Sequence, residues 1–106
     1  MKIKTGCDIV EIKRLSNLKK EALDKIFHKT ELSNKPENLA GIFAAKEACK
    51  KVFNNLDWLD IEIKKKRTGK PILILNEKIN NIISYDLSIS HDKNYAIAVV
   101  VFLIKE

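Results

Sequence analysis

The sequence is poor in the residues that staple or punctuate a chain: its 106 residues include two cysteines, three glycines and two prolines. Cys7 and Cys49 make neither a disulfide framework nor a zinc site, which would need ligand pairs at short spacing. A reduced, cytoplasmic setting is expected. The longest apolar run, Tyr95–Ile104, has ten residues, half of the roughly 20 that a spanning helix needs. No apolar segment follows the basic N-terminal residues as a secretory signal would require, so no membrane partner is expected. Repeats, low-complexity tracts and linker-like stretches are absent from the sequence.

What is present fits one globular domain over residues 1–106. Apolar residues make up 45% and charged residues 32% of the chain, which is incompatible with disorder. A core of this size is modest and encloses little, so a deep site is expected to borrow walls from a second subunit. The 20 basic and 14 acidic residues leave a net charge of +6. Such a balance favours an anionic partner without naming it.

The apolar patterning predicts an α+β fold with a largely antiparallel sheet. Residues 3–12 read as a strand interrupted by Gly6, and residues 13–28 as one or two short helices. A break at Ser33–Pro36 precedes a long helix over residues 37–53, with Pro36 and Glu37 suited to its first turn. Its expected apolar stripe comprises Ile42, Ala45, Cys49, Val52 and Phe53. Strands are expected at residues 61–65 and 72–75 around a turn at residues 68–71, a short helix at 76–83, and strands at 87–90 and 95–104 around a turn at 92–94.

Several residues are costly where they stand. Asp8 lies in the otherwise apolar run Cys7-Asp8-Ile9-Val10, where a carboxylate must be exposed or paired with a cation or donors. Gly41 inside the long helix costs about 1 kcal/mol against alanine, which points to close backbone approach. Lys46 projects toward the apolar stripe, where a solvated lysine does not belong unless its stem snorkels. Glu47 and Lys51, four apart, read in isolation as an ordinary surface ion pair. His91 follows Ser88-Ile89-Ser90 where a strand meets a turn, but no Gly-x-Ser-x-Gly elbow accompanies it. The run Lys64-Lys65-Lys66-Arg67-Thr68-Gly69-Lys70 lacks P-loop spacing. It also lacks the interleaved aromatics of a nucleic-acid stacking platform, so nucleic acid is not the expected partner.

Taken together and in order, these segments resemble one family. They are Gly6-Cys7-Asp8-Ile9-Val10-Glu11-Ile12 with Arg14, Leu39-Ala40-Gly41-x-Phe43-Ala44-Ala45-Lys46-Glu47-Ala48-x-x-Lys51, Gly69-Lys70-Pro71, and Ser88-Ile89-Ser90-His91 with Tyr95-Ala96. The family is that of the small 4′-phosphopantetheinyl transferases acting on acyl carrier proteins, and the resemblance runs from about residue 3 to residue 102. It implies transfer of phosphopantetheine from coenzyme A to a carrier serine, with release of adenosine 3′,5′-bisphosphate, in fatty acid biosynthesis. By the same resemblance, Asp8 and Glu47 are magnesium ligands, and Glu47 is also the base for the serine proton. Asp8, Glu47 and Lys51 are the implied catalytic residues, with Lys51, Lys70, Pro71 and His91 at coenzyme A and Arg14 at the carrier. A homotrimer with sites between subunits is implied as well.

Two positions depart from the family pattern, both toward the expected nucleotide end: Ile42, where many members carry arginine, and Asn54, where glycine is common. Residues 13–29 carry a net charge of +4, complementary to an acidic carrier. The competing readings are a non-catalytic homologue that binds coenzyme A or the carrier, and a small basic nucleic-acid-binding module.

Overall fold

The protein is described by a computed structural model covering residues 1–106. In chain order it comprises β1 (Lys2–Glu11), α1 (Ile12–Ser16), α2 (Lys20–Ile26), α3 (Pro36–Val52), a single 3₁₀ turn (Trp58–Asp60), β2 (Ile61–Lys65), β3 (Pro71–Leu75), β4 (Ile82–Asp92) and β5 (Tyr95–Ile104). β1, β5 and β4 form one antiparallel sheet in that order, and β2 pairs antiparallel with β3 in a separate ribbon. The expected α+β architecture is therefore present. None of its helices is long and apolar enough to cross a membrane.

The main sheet obeys the period of two that a half-buried strand requires. Along β5, Ala96, Ala98, Val100, Phe102 and Ile104 point inward to the core, while Tyr95, Ile97, Val99 and Val101 point outward and stay exposed. The register sets Ile9 opposite Ile97 and Cys7 opposite Val99, so the outer face of this sheet is itself apolar. Lys93 takes a left-handed conformation (φ 54°) in the tight β4–β5 turn, and Gly69 (φ 88°) serves the same need in the β2–β3 turn.

α3 runs across the inner face of the main sheet, packing on β1, β5 and β4, with α1 against it. The expected stripe understates its burial: every residue from Ala40 to Lys46, together with Ala48 and Cys49, is buried. Two close approaches explain the small residues in and opposite this helix. A Cβ on Gly6 would lie 2.1 Å from the backbone oxygen of Ala48, and one on Gly41 would lie 2.6 Å from Cγ2 of Ile89. The inference of close approach at Gly41 holds, and Gly6 makes the tighter contact. Burial also pushes the Cys49 thiol up to about 12, which keeps it protonated and inert at neutral pH.

One expectation fails. Residues 76–81 form a turn and irregular chain, and residues 82 and 83 already belong to β4, so no helix forms there. Asn76 is held instead at the end of the ribbon: its backbone N–H donates to the Asp60 carbonyl and its side-chain amide to the Asp60 carboxylate. Those bonds to a distant segment outweigh the weak helical preference of so short a stretch. β4 is correspondingly longer than expected, beginning at Ile82 with a register irregularity between Ile82 and Ser84.

The Gly6 contact predicts that Gly6→Ala destabilises the protein by about 1–3 kcal/mol through overpacking. Urea unfolding should register a lower midpoint. A midpoint equal to wild type would mean that β1 can retreat from α3 without cost.

Candidate active site

The β1–α3 contact creates one half of the site. Because Gly6 lets the strand touch the helix backbone, Asp8, two residues further along β1, comes within reach of the last turn of α3. Lys51 Nζ donates to the Cys7 carbonyl at 2.8 Å and pairs with Asp8 Oδ1 at 3.2 Å. The costly strand carboxylate therefore has its cation, as expected, but the partner in this structure is Lys51. Lys51 accordingly does not pair with Glu47, and the reading of those two as a simple surface pair fails. Glu47 is half-buried one turn earlier on α3 and takes part in none of the ion pairs of the chain.

No three His, Cys, Asp or Glu side chains gather anywhere in the chain. Asp8 on β1 and Glu47 on α3 stand on elements packed against each other, and Asp8 is paired with Lys51. Carboxylates of this kind are the oxygen donors magnesium takes, one or two at a time, with phosphate oxygens and water filling its remaining positions.

Behind this edge lies a buried ion pair that organises the other side of α3. Lys46 does not snorkel; it is fully buried, as is Glu31. Lys46 Nζ donates to Glu31 Oε1 at 2.7 Å, to the Ile26 carbonyl at 2.7 Å and to the Trp58 carbonyl at 3.3 Å. Glu31 in turn accepts the backbone N–H of His28 at 2.8 Å and that of Ile63 at 2.8 Å. Desolvation pulls the lysine pKa down, opposed by the hydrogen bond and charge of Glu31. One pair thus fastens α3 to the end of α2, to residues 28–31, to the 3₁₀ turn and to β2. Nothing in the sequence marks Glu31; the signal is Lys46, whose place near the apolar stripe calls for a compensating partner unless its stem snorkels.

The second half of the site is a cleft of about 530 Å³ between the 30–34 turn, α3, the ribbon and β4. Ile42, Ile63 and Ile89 are its apolar residues, and Lys64, Lys65, Gly69, Pro71 and His91 line it as well. Pro71 and His91 therefore fall together. Lys70 does not line the cleft; its Nζ lies 3.6 Å from Asp86 at the surface. Asp8, Glu47 and Lys51 are likewise outside this cleft. Arg14 is exposed on α1 with its guanidinium carbon 5.4 Å from the centre of the Phe43 ring. The cleft also enlists Thr30, Ser33, Asn34 and Asn38, whose sequence context points to a chain break at Ser33–Pro36 and not to a binding site.

Residues 4–100 match the sequence model of the 4′-phosphopantetheinyl transferase superfamily, and the chain belongs to that superfamily. Its similar relatives share a narrower description. The holo-[acyl-carrier-protein] synthase of Campylobacter fetus is 41% identical over 110 residues, covering 91% of this chain and 96% of the relative. A crystal structure of Helicobacter pylori holo-[acyl-carrier-protein] synthase in complex with coenzyme A matches with a TM-score of 0.85 and 36% identity, covering 94% of this chain and all of that one. A synthase from Bacillus anthracis, in complex with CoA (3′,5′-ADP), matches at 0.79 and 35% identity over 92% of this chain and 93% of that one. The chain is thus an enzyme of the transferase family.

The Lys46–Glu31 pair generates a stability prediction. Lys46→Met leaves a buried carboxylate without its cation and should cost about 3–5 kcal/mol, measured by urea unfolding. A loss below about 1 kcal/mol would mean that Glu31 takes up a proton and sheds the penalty.

Proposed function

We propose that this enzyme transfers 4′-phosphopantetheine from coenzyme A to a serine hydroxyl of an apo-acyl carrier protein and releases adenosine 3′,5′-bisphosphate, in the cytoplasm and in the service of fatty acid biosynthesis. The observation that carries the reading is the Asp8–Lys51 pair beside an unpaired Glu47 at the β1–α3 contact, within a chain of this superfamily. Asp8 and Glu47 would hold a magnesium ion, which when bound supplies the charge neutralisation that attack at a pyrophosphate phosphorus requires. Glu47, with no internal partner, is free to accept the serine proton. Lys51 is half-exposed, and exchanging Asp8 for a phosphate oxygen keeps its charge compensated.

The cleft supports coenzyme A as the donor, as do the coenzyme-bound structures of the Helicobacter and Bacillus relatives. The apolar floor of Ile42, Ile63 and Ile89 suits an adenine face, while Lys64 and Lys65 suit phosphates. His91 can give a phosphate an N–H donor. Lys70 joins them by releasing Asp86, an exchange that costs little for an exposed pair. With Ile42 in the position where many family members carry arginine, charge in this cleft comes from the ribbon rather than from α3.

In a single chain the cleft excludes Asp8, Glu47 and Lys51, and the outer face of the main sheet exposes Ile9, Ile97, Val99 and Val101. Both features favour a homotrimer in which one subunit brings the carboxylate edge and its neighbour the cleft. Arg14, on the basic 13–29 surface, would meet the acidic carrier.

Incubation with magnesium, coenzyme A and an apo-carrier should add about 340 Da to the carrier, the mass of the covalent arm. Intact-mass spectrometry reads this directly, and no gain across several carriers would sink the proposal. Glu47→Gln should abolish the gain while leaving the fold intact. Light scattering should return about three times the 12.1 kDa chain mass; active protein at the mass of one chain would overturn the shared site.

A further inference from the structure

The core around Lys46 continues outward into four stacked groups. The Arg14 guanidinium carbon lies 5.4 Å from the centroid of Phe43. The Phe43 and Trp58 rings are stacked with centroids 5.1 Å apart and an interplanar angle of 21°. Lys50 Nζ closes the series 3.8 Å from the centroid of Trp58. The result is a cation–ring–ring–cation ladder drawn from α1, α3 and the 3₁₀ turn.

Three properties distinguish it from incidental packing. Neither Arg14 nor Lys50 belongs to any ion pair of the chain, although this surface carries Glu47 three residues before Lys50 on the same helix. Both cations are held by ring faces, which fix their position and leave their N–H donors unspent. The ladder is also anchored at its centre: Phe43 is buried, and the Trp58 carbonyl accepts from Lys46. Cations fixed before binding lose little side-chain freedom when a partner arrives.

We infer that the Lys50–Trp58 end of this ladder extends the carrier-docking surface beyond α1, presenting two preset cations to carboxylates on an acidic carrier protein. This rests on the transferase reading above. α1 packs on α3, and α2 packs on the 3₁₀ turn, so the helices that carry Lys13, Lys20 and Lys25 adjoin the elements of the ladder and share its sign. The nearby Asp57 is paired with Lys78 at 3.5 Å and does not quench Lys50. Nucleic acid is the poorer fit: the two rings are stacked on each other and each already carries a cation, so neither stands free as a base platform.

Trp58 is the only tryptophan, so its emission reports on Lys50 without reference to turnover. Titrating apo-carrier should shift Trp58 emission and saturate, with the half-point moving to higher carrier concentration as salt is raised. Lys50→Met should raise the carrier KM about tenfold, the value of one charge-assisted hydrogen bond, against the KM for coenzyme A as internal reference. Lys50→Arg should restore the carrier KM, because guanidinium keeps both charge and stacking. Unchanged carrier KM in Lys50→Met, or emission that responds to an oligonucleotide and not to the carrier, overturns the ladder as a docking edge while mass transfer to the carrier continues. A saturable emission response with no mass gain in any carrier upholds the ladder and overturns the transferase reading instead.

Discussion

A single buried ion pair sets the geometry on which the rest of this molecule depends. Lys46 and Glu31 lie wholly inside the protein, and between them they bond to residues 26, 28, 58 and 63. Charges so placed contribute little net stability compared with well-packed apolar groups, because desolvation consumes most of the Coulomb gain. Their value is directional. Five hydrogen bonds with fixed donors and acceptors allow one arrangement of α2, the 3₁₀ turn and β2 around α3. An apolar plug of the same volume would tolerate several. The cleft wall at residues 30–34 follows directly from where Glu31 is held.

The opposite side of α3 is governed by size rather than charge. Gly6 and Gly41 remove the atoms that would keep β1 and β4 at ordinary distance, and Ala44, Ala45 and Ala48 are fully buried along the same helix. Close contact carries Asp8 to Lys51, and it leaves Glu47 and Lys51 on the helix flank beside the strand. One helix therefore serves two requirements at once, with a polar lock on one side and a steric fit on the other.

Much of this was legible in the sequence because it broke a local rule. A carboxylate in an apolar strand, a glycine in a helix and a lysine near an apolar stripe each announced a tertiary compensation, and the structure supplies Lys51, Ile89 and Glu31 respectively. What could not be read was the partner's identity across the chain. Glu31 sits in a turn where an acidic residue is unremarkable, and only its burial makes it unusual. The cleft was hidden for a related reason: Thr30, Asn34 and Asn38 are ordinary polar residues until folding brings them opposite the ribbon. The helix expected at residues 76–83 failed because bonds to Asp60, sixteen residues before Asn76, outrank local preference.

The ribbon of β2 and β3 shares no backbone ladder with the main sheet. It is tied to the rest of the molecule through side chains: Glu31 to the Ile63 N–H, Thr30 to Glu62, and the Tyr85 hydroxyl accepting from the Leu73 N–H. A cleft wall suspended in this way has a position set by these side-chain bonds and by the core packing of Ile61, Ile63 and Leu73 rather than by strand pairing with the main sheet. The ladder of the main sheet therefore does not fix the width of the cleft, which depends on contacts made residue by residue.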